Sequence, residues 1–84
     1  MTNATPTHVL YKSTDCVRCP LAAGSMDRAG IKYETVFLDH PENAHILEAL
    51  RTEMAREFIP LPTVRTPDGR LLDNLATISA EFRR

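Results

Sequence analysis

The chain has 84 residues, 43% of them hydrophobic, and a formal net charge of −1 at pH 7, which leaves room for one domain with an ordinary core and a thin stability margin. That balance offers no basic footprint for nucleic acid and no cationic face for a membrane surface, and no apolar run is long enough to span a bilayer. The polar, uncharged start lacks the basic and apolar regions of a signal peptide, so residues 1–6 are expected to be a flexible tail, residues 7–84 one domain, and the protein cytoplasmic.

Residues 7–12, with Val9, Leu10 and Tyr11, read as a buried strand. Ser13-Thr14-Asp15 reads as a turn, because these side chains compete for backbone hydrogen bonds. Cys16-Val17-Arg18-Cys19 then opens a helix, with Pro20 in its first turn, where a missing N–H costs nothing. Leu21, Ala22, Met26 and Ala29 form its apolar stripe, Gly24 weakens it, and Gly30 ends it. Residues 32–38 read as a second strand. Asp39 and Glu42 stand at capping-box spacing around Pro41, and a helix follows with Ile46, Leu47, Leu50, Met54 and Phe58 on one face. Pro60 stops it; residues 63–66 and 70–72 form a hairpin about Pro67-Asp68-Gly69, where Pro presets the corner and Gly accepts positive φ. Asp73 or Asn74 caps a last helix with Leu75, Ile78 and Phe82 on one face. The order βαβαββα predicts a four-stranded mixed sheet with helices packed on it.

Cys16 and Cys19 are the only cysteines. A structural bridge across so short a loop would constrain the unfolded chain little, and such bridges are rare in a reducing cytosol. Redox chemistry explains the pair better than stapling does. A metal reading competes, since Cys16, Cys19, His40 and His45 make a CxxC…HxxxxH set. The gap between its halves exceeds the usual zinc-finger spacing, and both histidines fall where ordinary surface histidines would.

A CxxC between the first strand and first helix, the Ala29-Gly30-Ile31-Lys32-Tyr33 junction, Leu61-Pro62-Thr63-Val64 and the Asp68-Gly69 hairpin together resemble the glutaredoxins of the thioredoxin superfamily over residues 8–82, and among them the NrdH-type redoxins. The resemblance implies a thioredoxin-like α/β fold and a dithiol–disulfide oxidoreductase. Its redox group would be the Cys16–Cys19 disulfide, with no bound cofactor and no metal. It would be a monomeric electron carrier, reduced by thioredoxin reductase or a similar donor and passing electrons to ribonucleotide reductase or another disulfide-containing protein. Pro62 would be cis and face the cysteines, leaving the backbone of Leu61 open to an extended substrate segment. Lys12, Thr14, Val17 and Arg18 would support the site or dock the partner. Two departures stand out: Lys12 lies one place further from the first cysteine than in NrdH-type redoxins, and residues 72–77 replace both their Trp-Ser-Gly-Phe-Arg-Pro stretch and the glutaredoxin Gly-Gly segment that meets the glutathione tail.

The chemistry follows from the thiolate being the nucleophile. Cys16 at a helix N-terminus would have its anion stabilised by free N–H groups and the helix dipole, with Arg18 and Lys12 adding charge and Asp15 opposing. Cys19, less exposed, would resolve the mixed disulfide. Two alternatives are a glutaredoxin that uses glutathione or mycothiol, and a metal-binding or adaptor module without turnover.

Overall fold

Successive side chains of a strand point to opposite faces, and in the first strand both faces are apolar. The computed structural model, which describes residues 7–83, shows why. The strand β1 (His8–Lys12) lies inside a four-stranded sheet of order β2-β1-β3-β4, parallel to β2 (Tyr33–Phe37) and antiparallel to β3 (Thr63–Arg65); β3 pairs in turn with β4 (Leu71–Leu72). Leu10 faces the side covered by α1 (Cys19–Arg28) and α3 (Leu75–Phe82), in one cluster with Ala22, Met26, Val64 and Ile78. Tyr11 faces the other side, with Leu38, Leu50 and the part-buried Ile46 and Leu47 of α2 (Ala44–Met54). This is the mixed sheet and element order the sequence predicts. The expected tail, residues 1–6, lies outside the described residues, as does Arg84.

Three local expectations are corrected. The first helix begins at Cys19 rather than at Cys16, with Arg18 as its cap residue. The Cys19 N–H is directed to the Cys16 sulfur at 3.1 Å instead of a carbonyl, and Pro20 has no N–H, so the backbone ladder opens only with Leu21 N–H to Arg18 O at 3.0 Å. The second correction concerns Asp39 and Glu42, which form no capping box. The chain instead enters a 3₁₀ turn, Pro41–Asn43, with no side-chain cap, because the Asp39 carboxylate is engaged by Thr14 of the loop after β1.

Third, α2 stops at Met54, four residues short of Phe58, which is 80% exposed. The chain leaves through Ala55 in the left-handed region (φ 54°), and the Arg56 N–H returns to Arg51 O at 3.1 Å, closing a Schellman-type end. Pro60 and the cis Leu61–Pro62 bond then lead the chain through a bend into β3. The other ends follow the sequence: Gly30 (φ 72°) carries the chain out of α1, and Asn74 caps α3 by accepting the Thr77 N–H at 2.8 Å.

Candidate active site

The site lies at the C-terminal end of β1, where the chain turns into α1. Cys19, Ala22, Met26 and Ala29 share one helical face. That face is turned into the core, and all four are buried. The stripe that makes α1 amphipathic therefore also fixes the exposure of the second cysteine. Cys16 lies before the helix and is only half-buried. The two are joined as a disulfide with Cα atoms 5.5 Å apart. The 3.1 Å approach of the Cys19 N–H to the Cys16 sulfur supplies a donor from the helix start, where such groups have no intrahelical partner. A thiolate at Cys16 would be stabilised by it.

The residues between the sulfurs face outward: Val17 is 87% exposed, and Arg18 is exposed without a capping hydrogen bond. Leu21, one turn further on, is exposed as well. The Leu61–Pro62 peptide bond is cis. Thr63 stands opposite Tyr11 in the antiparallel β1–β3 pair, so residues 61–62 run beside the chain just after β1. Pro62 is buried, and the Thr63 hydroxyl donates to Pro60 O. A groove of about 220 Å³ borders this segment, lined among others by Ser13, Asp39, Phe58, Ile59 and Leu61.

Lys12 and Thr14 have specific partners. The Lys12 ammonium sits 5.2 Å from the centre of the Phe37 ring, a cation–π contact, and among the described residues it makes no hydrogen bond to Cys16. The Thr14 N–H donates to both carboxylate oxygens of Asp39, at 3.1 and 3.2 Å, and its hydroxyl lies 3.4 Å from His40 Nε2. Desolvation works against ionisation of Asp39, but the Thr14 backbone and side-chain bonds outweigh it and hold the carboxyl below its ordinary value. His40 stacks on Phe37 with ring centres 4.7 Å apart and has Glu42 3.6 Å from Nδ1. Among the described residues no group of three or more His, Cys, Asp or Glu side chains is gathered to hold a metal ion.

Asp39 and Phe58 are the neighbours of the site that sequence reasoning assigned elsewhere, one to a helix cap and the other to a helix face. The placement of Asp39 depends on a contact between segments 25 residues apart, and that of Phe58 on the end of α2 at Met54.

Fold and site together define a class: the thioredoxin-like α/β fold, with a CxxC disulfide at the entry to the first helix. No family model matches the sequence, and no curated protein is similar to it at a significant level. Solved structures are similar. A structural-genomics target from X. campestris, XcR50, shares 26% identity over 88% of this chain and 92% of its own, with a TM-score of 0.59. The holo form of glutaredoxin C1 from Populus tremula x tremuloides shares 21% over 89% of this chain and 72% of its own, with a TM-score of 0.70. The buckwheat glutaredoxin–glutathione complex shares 20% over 92% and 68%, with a TM-score of 0.72. The last two likenesses concern the fold.

Proposed function

We propose that this protein is a thiol–disulfide oxidoreductase that reduces disulfides of partner proteins. One observation carries the reading: the half-buried Cys16, with a helix N–H on its sulfur, is bonded to a fully buried Cys19. In the reduced protein the Cys16 thiolate attacks one sulfur of the partner disulfide, and the other leaves as a thiolate and takes a proton. Cys19, deprotonated, then attacks the Cys16 sulfur, and the partner's second thiolate departs and is protonated. Two electrons and two protons pass to the partner, and the Cys16–Cys19 disulfide remains. No other redox group takes part, and the protein acts as a monomer in a reducing cytoplasm.

The exposed Val17, Arg18 and Leu21 and the Leu61–Pro62 segment form the docking rim in this reading. Cys16→Ser abolishes reduction of insulin disulfides, whereas Cys19→Ser accumulates mixed disulfides because attack survives and resolution does not. Normal turnover by Cys16→Ser would sink the assignment.

Within this reading the upstream donor is thioredoxin reductase and the acceptor ribonucleotide reductase or a similar enzyme. The NrdH-like CVRC motif supports it, and so does α3: Asn74 already caps the helix through the Thr77 N–H at 2.8 Å, in the stretch that replaces the glutathione-tail segment. A second reading is reduction by glutathione or mycothiol, and its glutathione form is favoured by the similarity to a glutaredoxin solved with glutathione. Reduction of the oxidised protein by NADPH and thioredoxin reductase, run beside each small thiol, decides between them. Faster reduction by either small thiol would overturn the first.

A further inference from the structure

We propose that Asp39 is a positioning residue for Cys16: by accepting the Thr14 N–H it fixes the loop that presents the attacking sulfur. The inference rests on the reading of Cys16 as the nucleophile. Among the described residues, the only long-range hydrogen bonds from residues 13–18 are those of Thr14, to Asp39 and His40. The other bonds of the loop are local: Cys16 N–H to Ser13 O at 3.3 Å, Leu21 N–H to Arg18 O, and Cys19 N–H to the Cys16 sulfur. When the disulfide is reduced its covalent tether is gone, and the Thr14–Asp39 bond remains as the charge-assisted link between loop and body.

The base of this link is rigid. Leu38, next to Asp39, is buried at 5% exposure, and its N–H donates to Lys12 O at 2.8 Å, extending the parallel pairing beyond β2. The His40 ring, stacked on Phe37, closes the same corner from the Thr14 hydroxyl side. Asp39 thus stands on the sheet and reaches across 25 residues of sequence to a backbone group two residues before Cys16. A carboxylate near a thiolate is electrostatically unfavourable. Its contribution here is the hydrogen bond, and the two effects separate by substitution.

Asp39→Asn removes the charge and keeps an acceptor oxygen; Asp39→Ala removes both. Insulin reduction should fall about tenfold or more in Asp39→Ala, as for a misplaced reacting atom, and stay within about threefold of the original in Asp39→Asn. The pH–rate profile of Cys16 alkylation by iodoacetamide should move to higher pH in Asp39→Ala, because the Cys19 N–H is no longer held on the sulfur, and should stay or move lower in Asp39→Asn. Equal impairment of both variants, or no impairment of Asp39→Ala, would overturn the proposal. An independent measurement needs no variant: in the reduced wild-type protein the Thr14 amide proton should be protected from exchange and its resonance should follow the Asp39 titration at acid pH. An unresponsive, unprotected Thr14 amide refutes the link even if Asp39→Ala does not fold. Loss of the oxidoreductase reading would show differently, as unchanged turnover in Cys16→Ser.

Discussion

Reversing the charge at Arg18 should move stability and reactivity in opposite directions. Arg18 is the exposed cap residue of α1 and makes no capping hydrogen bond with its side chain. A cation there opposes the helix dipole, so Arg18→Glu favours the helix by roughly 0.5 kcal/mol, a rise of about 2–4 °C in Tm for a domain this small. The same change replaces an attractive charge near Cys16 with a repulsive one. An exposed unit charge two residues away along the chain, screened by solvent and salt, is worth about half a pK unit at most. The reversal doubles it, so the pH midpoint of Cys16 alkylation rises by up to about one unit. Below that midpoint the thiolate fraction, and with it the rate, falls by up to about tenfold. The assay is iodoacetamide alkylation against pH on a Cys19→Ser background, so that one thiol reports, with thermal unfolding followed by far-UV circular dichroism. An unmoved midpoint would show that the helix-start N–H stabilises the thiolate alone, and a lower Tm would refute the dipole argument.

Met26 is fully buried between α1 and the sheet, and Met26→Ala should cost about 2–5 kcal/mol in chemical denaturation; a loss under 1 kcal/mol would mean that the cluster collapses around the void. Ala55→Gly should stabilise the protein by roughly 0.5–1 kcal/mol, since Ala55 holds φ 54° and glycine relieves that strain at an entropic cost; a destabilised variant would speak against the left-handed exit. Acid should destabilise the fold. Glu53 is held below its ordinary value by Arg65, Glu81 by Arg70, Asp68 by the Thr66 hydroxyl, and Asp39, against desolvation, by Thr14. Carboxyls depressed in the folded state contribute stability above their unfolded values, and it is lost as pH falls through the folded ones, so Tm should be flat near neutrality and decline below about pH 4. A Tm unchanged down to pH 2 would contradict these pairings.

The sheet was legible because each strand carries a local signal of its own: an apolar run in β1 and β2, a Pro-Asp-Gly corner between β3 and β4. The lesser exposure expected of Cys19 is observed, whereas Leu21, expected in the apolar stripe with Ala22 and Met26, is exposed and Cys19 takes its place in that register. Legibility ended where a residue has two physically sound uses. Asp39 suits a helix cap, and its carboxylate goes to Thr14 instead because β1 and β2 lie parallel in register, with Lys12 beside Phe37. Phe58 continues a helical stripe on paper, but the chain leaves the helix at Ala55 in the left-handed region, and the helix ends before reaching it. Lys12 is drawn to the Phe37 ring by the same register. The outcomes at Asp39 and Lys12 depend on pairings across 25 positions, which local spacing does not encode.

The antiparallel course of β3 has a practical consequence. Because Thr63 lies beside Tyr11 and Arg65 beside Val9, the turn after β3 emerges at the end of the sheet opposite the cysteines. It is braced there by Thr66 N–H to Arg70 O at 2.9 Å and by Arg70 to Glu81 at 2.8 Å, while Pro67 is exposed. An orthogonal coupling handle at Pro67 would therefore fix the molecule to a bead or electrode with its sulfur end pointing into solution. Immobilised in that orientation, the protein would leave Cys16 and the exposed Val17 and Arg18 open to dissolved molecules.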